Sequence, residues 1–222
     1  MSLKPLKKSD LGKAWMAKRR DSMREISPEY HLIVTEGTNT EPQYFDAVRA
    51  RINEKFREHI QLEISGRGDN TINLFFQAKD LAERSPNGFR HVWIVYDTDD
   101  FPSEHINLVP ELCKNASSEE CTFHSVWSNQ CIELWFLLHF SFMQSDIHRT
   151  EYWSKLSEQL RSLGKGEYYK NRPDMFSILL PYMETAIMNA DKLSDINHEK
   201  TPADSAPGTE VQSLIKAIKP YL

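Results

Sequence analysis

The run His91-Val92-Trp93-Ile94-Val95-Tyr96, followed at once by Asp97-Thr98-Asp99-Asp100, most restricts how this chain can fold. A continuous apolar run of that length predicts a strand covered on both faces, the signature of a parallel sheet between helices. The carboxylates then fall at the C-terminal end of the strand, where open α/β sheets bind ligands and metals. Asp97 and Asp99 share a side if the strand continues through them, because strand side chains alternate with period 2. Paired hard oxygen donors suit Mg²⁺ or Mn²⁺. A second run, His31-Leu32-Ile33-Val34-Thr35, ends in the same manner at Glu36-Gly37. Acids at two strand ends of one sheet make a candidate divalent-metal site.

The rest of the pattern supplies the layers around those strands. Thr40-Glu41-Pro42-Gln43 reads as a helix start, with Thr40 capping and Gln43 closing a capping box. Tyr44, Phe45, Val48, Ile52 and Phe56 follow at helical spacing. Leu62 and Ile64 suggest a strand, Gly66-Arg67-Gly68-Asp69-Asn70 a turn, and Ile72 to Ala82 a helix. A helix over 103–115, disturbed by Pro110, a strand over 121–127 and an apolar helix over 132–140 complete the alternation. That order predicts an α/β fold with a mostly parallel sheet. Beyond Phe140 the pattern is helical only: 151–163, a single helix over 174–191, a polar exposed loop over 197–207, and an amphipathic helix over 210–221. The expected organisation is a basic N-terminal arm (1–28), an α/β core (29–140) and a helical C-terminal extension (141–222).

With 40% hydrophobic and 27% charged residues the chain reads as an ordinary globular protein. Cys113, Cys121 and Cys131 have no CxxC spacing and an odd count, so they read as reduced thiols of a cytoplasmic protein. No apolar signal core precedes a cleavage site, and the longest apolar stretch, Leu134 to Met143, is too short to span a bilayer. A net charge of -5 gives no global attraction to nucleic acid. Lys4, Lys7, Lys8, Lys13, Lys18, Arg19, Arg20 and Arg24 nevertheless crowd the first residues, either as a solvated tail or as a phosphate-contacting arm.

Three ordered blocks carry a resemblance. They are Ile33 to Phe45 (IVTEGTNTEPQYF), Val92 to Phe101 (VWIVYDTDDF) and Ser128 to Phe140 (SNQCIELWFLLHF), with a weaker likeness at Thr209-Glu210-Val211. In these the chain resembles the RloB-like family found beside bacterial restriction and abortive-infection loci. That family looks like a divergent member of the TOPRIM-type superfamily, which includes topoisomerases, primases and OLD-class nucleases. The resemblance implies a TOPRIM-like core in which Glu36, Asp97 and Asp99 carry catalysis and bind Mg²⁺ or Mn²⁺. One departure is Gln130, where the family often has Pro.

Each residue also has a plainer reading. Glu36 could be a surface acid, although Gly37 beside it permits close approach of backbone or substrate. Asp97 and Asp99 could be turn acids, and Asp100 reads as one. Glu133 is either an acid favoured by its helix N-terminus or a further metal ligand. Asn129 reads as a helix cap and His139 as a satisfied core histidine. Arg67, in the Gly-rich turn, is a candidate phosphate contact. Lys165 and Lys170, flanking Tyr168-Tyr169, are candidate nucleic-acid contacts.

The expected function is metal-dependent hydrolysis of DNA or RNA, host tRNA included, in anti-phage defence. The chain has no GxxxxGK[ST] motif, so ATP hydrolysis would fall to a separate ABC-type or OLD-type ATPase implied by the resemblance. The helical extension is the candidate docking surface; oligomerisation is left open and no membrane association is expected. The competing readings are a non-catalytic sensor or scaffold, and a HAD-type phosphatase with a nucleophilic Asp.

Overall fold

A computed structural model describes residues 29–56, 60–66, 71–86, 88–98 and 101–222. The basic arm, Arg67, Asp99 and Asp100 lie outside the described residues. The first half alternates as read: β1 (Glu29–Thr35), α1 (Thr40–Phe56), β2 (Ile60–Gly66), α2 (Thr71–Arg84), β3 (His91–Asp97), α3 (Ser103–Ala116) and β4 (Thr122–Asn129). α4 (Glu133–Leu138), α5 (Arg149–Ser162), α6 (Met175–Leu179), α7 (Met183–Ile196), β5 (Gly208–Thr209) and α8 (Val211–Ile218) follow.

Among the described residues the sheet has five strands, in the order β2-β1-β3-β4-β5. The first four are mutually parallel, and β5 joins β4 antiparallel through Ser128↔Thr209 and Asn129↔Gly208. The chain order reverses between β1 and β3, which makes the C-terminal edge there the topological switch point of the sheet.

Period-2 alternation divides the core in two. Leu32, Val34, Val92, Ile94 and Tyr96 face α2 and α3. Ile33, Trp93, Val95 and Val126 face the other way, onto α1 and the helices from α4 to α8, with Trp135, Phe136, Leu156, Leu179 and Ile215 among the buried contacts. Asp97 continues the odd-numbered series of β3, so it faces the side covered by α1 and α4.

Several local expectations change on packing. The helix expected over 174–191 is interrupted by a 3-10 turn at Leu180–Tyr182, because Pro181 lacks the amide that a continuous helix would use. The segment 197–207 is not a simple exposed loop: Asn197 and Ser205 are buried, and Asn197 Nδ2 donates to the Pro207 carbonyl at 2.9 Å. It leads into β5, which is too short to show a period. Thr40 and Gln43 do not form a capping box. The Thr40 hydroxyl donates to Asn171 Oδ1 at 3.1 Å, and the Gln43 amide N–H reaches the Asn39 carbonyl. Asn129 does not cap α4; its Nδ2 donates to the carbonyls of Pro202 and Ala203, tying β4 to the turn before β5. All three cysteines are free, and among the described residues no helix is long and apolar enough to cross a membrane.

His139 is a buried core histidine, with Nδ1 against the Trp135 carbonyl at 2.9 Å, but it is only half satisfied. Its Nε2 has no partner. On the sheet, His31, His91, His124 and Trp93 form a ring cluster in which Trp93 Nε1 donates to His31 Nδ1 at 3.1 Å. Burial lowers His31, His124 and His139 from 6.5 to about 4. The unfolded chain therefore binds more protons than the folded chain between those values. Stability is intact above about pH 6.5 and falls as pH drops toward 4, by up to about 3 kcal/mol for a fully buried ring such as His139. Urea unfolding across that range should show the decline, and His139→Phe should make it shallower by about one proton.

Candidate active site

The loop after β1 and the end of β3 are joined directly. The Glu36 amide donates to the Val95 carbonyl at 2.9 Å, and Glu36 Oε2 accepts from the Asp97 amide at 3.3 Å. Glu36 is thereby held at the switch point beside the Asp97 backbone. The Thr98 amide is shared between the carbonyls of Ser128 (3.1 Å) and Gln130 (3.2 Å), which ties the end of β3 to the turn after β4. The Asn129-Gln130 peptide in that turn is cis.

Two helices add acids to this edge. Glu41, in the first turn of α1, is only 7% exposed. Its carboxylate fills the space that a Cβ on Gly37 would occupy. The close approach allowed by Gly37 is therefore made by Glu41. Glu133, in the first turn of α4, is 3% exposed. Its Oε1 accepts from the Tyr168 hydroxyl at 2.8 Å and from Trp153 Nε1 at 3.2 Å. Burial, with Glu133 and Asp97 beside it, keeps the neighbouring Cys131 thiol protonated.

Electrostatics binds these residues into one cluster. Burial, then repulsion from Glu41, Glu133 and Glu36, pushes the Asp97 carboxyl well above its ordinary range, with only the Ile132 backbone acting the other way. Glu41 is likewise raised by burial and by Glu133, while Lys170 acts in the other direction. Lys170 lies with Nζ 5.2 Å from the centre of the Trp153 ring, so the ring that orients Glu133 also carries a cation that acts on Glu41.

Glu36, Asp97 and Glu133 are thus brought together, and Lys170 stands beside them. Lys165 is exposed between Gly164 and Gly166 and acts on Asp174 rather than on the cluster. Asp99 and Arg67 lie outside the described residues. Among the described residues, no group of three or more His, Cys, Asp or Glu side chains closes into a ligand set for a metal ion. The donor chemistry still fits a hard divalent cation: these carboxylates repel one another, and a positive charge at the edge would relieve each of them.

Sequence reasoning missed Glu41, read only as part of a helix start. The available signal was its place in the first turn of a helix that begins four residues after Glu36, at a strand end. It also missed Trp153 and the role of Tyr168. Tyr168 is buried and donates to Glu133, so it does not offer a stacking face; Tyr169, beside it, is exposed. Nothing local in the sequence connects either donor to Glu133.

The sign of the acid shifts is opposite to that of the histidines. A carboxyl raised in the folded state leaves stability untouched below its unfolded value and reduces it as pH rises through the folded value. Asp97→Asn should therefore raise the melting temperature in EDTA at neutral pH, by about 2–4 °C for each kcal/mol of repulsion relieved. Titration with Mg²⁺ or Mn²⁺ should stabilise the wild type more than this variant. Tyr168→Phe should lower stability by about 1–3 kcal/mol in urea, since it strips a donor from a buried carboxylate.

No curated protein and no solved structure matches the chain. One family model does, that of the RloB-like protein, over residues 31–218. The match takes in β1 with Glu36 and Glu41, β3 with Asp97, the Glu133 helix and the C-terminal helices through α8. The chain belongs to the RloB-like protein family.

Proposed function

We propose that this chain is a metal-dependent nuclease with a TOPRIM-type active site, acting in bacterial anti-phage defence beside a separate ABC-type ATPase. The observation that supports this most is the meeting of Glu36, Glu41, Asp97 and Glu133 at the switch point, where Asp97 is repelled by the other three. Glu36, Asp97 and Asp99 are the proposed holders of Mg²⁺ or Mn²⁺, with Glu41 and Glu133 completing the acidic wall. When bound, the cation would neutralise charge on the scissile phosphate and lower the pKa of a bound water.

The chain's own residues have distinct tasks in this reading. Glu36, anchored on the Asp97 amide, orients the attacking water. Trp153 and Tyr168 hold Glu133 in one orientation, so this acid does not swing toward the incoming strand. Lys170 and the exposed Tyr169 supply positive charge and a stacking face for nucleic acid near the cluster. The layer of helices after α4 is the proposed ATPase-docking surface.

A purified-protein assay tests the reading on plasmid, single-stranded DNA and total tRNA with Mn²⁺, with and without the neighbouring ATPase. Cleavage that disappears in EDTA and falls about 100-fold or more in Glu36→Gln and Asp97→Asn is the expected result. Glu41→Gln should also lose activity, which distinguishes this site from one built on Glu36 and the Asp pair alone. No cleavage by the wild type with the ATPase present, together with full phage protection by Asp97→Asn, would establish a scaffold instead.

A further inference from the structure

Two aromatic rings beside the acidic edge are turned toward solvent. Tyr169, in the loop between α5 and α6, is 57% exposed, and Trp153, on α5, is 36% exposed. A single exposed ring needs no explanation. Here each ring is paired with a cation, and the pairs adjoin the carboxylates. Lys170 Nζ lies over the Trp153 ring, and the Arg172 guanidinium carbon lies 5.8 Å from the centre of the Tyr169 ring. Arg172 is largely buried and holds Asp174 through two hydrogen bonds, at 2.6 and 3.0 Å, so it backs the Tyr169 ring. Lys170 is exposed. A cation–π contact uses no hydrogen bond, so the three N–H donors of its ammonium remain for phosphate oxygens. The acids of the loop are neutralised locally: Glu167 pairs with Arg161 at 2.8 Å and Asp174 with Arg172, while Lys165 and Lys170 stand outside those pairs.

The loop is braced from within and tied to the site. The Tyr168 amide donates to Ser157 Oγ at 3.1 Å, and Arg172 Nη1 donates to the Glu167 carbonyl at 2.8 Å. Tyr168 and Trp153 donate to Glu133, and Lys170 acts on Glu41. Bracing of this kind lowers the ordering cost of binding. Rings flanked by a cation suit unpaired bases. In a duplex both faces of each base are covered by its neighbours, so the backbone is what remains, and a net charge of -5 gives no general attraction to it. An unpaired strand offers base faces to Tyr169 and Trp153 and a phosphate to Lys170.

We propose that Tyr169, Trp153 and Lys170 form a stacking platform that selects an unpaired polynucleotide strand over a duplex and leads it to the acidic edge. The proposal deepens the nuclease reading and rests on it for the fate of the strand. Tyr169 and Lys170 fix the strand beside the carboxylates. Trp153 has two roles, a ring for a base and an N–H for Glu133, so a base seated on it lies against the side chain that orients that acid.

Fluorescence anisotropy on the full chain in EDTA, which silences metal-dependent cleavage, tests the platform with labelled oligothymidylate, oligouridylate and a duplex of the same length. The better of the two unpaired probes should bind about tenfold or more tightly than the duplex, and whichever it is assigns the strand to DNA or RNA. Tyr169→Ala should weaken that binding by about tenfold, and Tyr169→Phe, which keeps the ring, should restore it. Lys170→Gln should reduce the slope of log K against log salt by about 0.7, the share of one phosphate contact on a single strand. Equal binding of the duplex, no binding of either unpaired probe, or binding indifferent to Tyr169→Ala would overturn the platform. Hydrolysis of bis(p-nitrophenyl) phosphate, a diester with no base, by the wild type with Mn²⁺ and the ATPase tests the nuclease reading separately. If that hydrolysis fails while ring-dependent binding of an unpaired strand persists, the nuclease reading falls and the platform stands. If both hold, Tyr169→Ala should raise KM for an unpaired strand more than it lowers kcat. Trp153→Phe, which keeps a ring but loses the N–H to Glu133, should lower kcat more than it raises KM.

Discussion

Like-charge repulsion at the C-terminal edge of β1 and β3 is the constraint around which the site is arranged. Asp97 stands half-buried where Glu36, Glu41 and Glu133 all act against its ionisation. The fold tolerates this by surrounding the acids with donors. The Asp97 amide holds Glu36, and Trp153 and Tyr168 hold Glu133. Each donor offsets part of the desolvation of one carboxylate, but none of these neutral groups removes the mutual repulsion. The edge is therefore left with a demand for positive charge, which an intramolecular core does not ordinarily retain. Lys170 answers it only in part, from an exposed position over Trp153.

That demand explains the division of labour between the layers. The helices α2 and α3 cover one sheet face with an apolar interface and contribute no acid to the cluster. The other face carries α1 and α4, each delivering one acid from its first turn, where the helix dipole favours negative charge. The C-terminal helices then close over α4, and α5 together with the segment after it brings the donors to Glu133. The helical extension is thus part of the construction of the site as well as a layer of the core. Asn189 adds to the same closure by donating to the Leu138 carbonyl at the end of α4.

Much of this was legible in the residues. β1 and β3 announce themselves because strands buried on both faces must be apolar throughout, and acids placed just beyond such runs have few reasons to be there. Glu36 and Asp97 were found in that way, and Glu133 from its place in the first turn of an apolar helix. Where the reading failed, the missing information was spatial. Asn129 has the chemistry of a cap but is drawn to carbonyls some seventy residues away. The polar segment 197–207 looks like a solvated loop because its burial depends on partners supplied by β4 and α7. Pro181 was a local signal that the apolar stripe of 174–191 obscured.

The sequence by itself determined the α/β alternation, the parallel character of the sheet, and the placement of Glu36 and Asp97 at strand ends, since these follow from period and polarity along the chain. It also determined the family, through three ordered blocks. Only the tertiary structure decided that Glu41 belongs to the cluster and that Tyr168 and Trp153 orient Glu133. The reason is physical: strand-end position is a one-dimensional property, whereas repulsion between carboxylates and the donors that relieve it depend on distances across elements far apart in the chain.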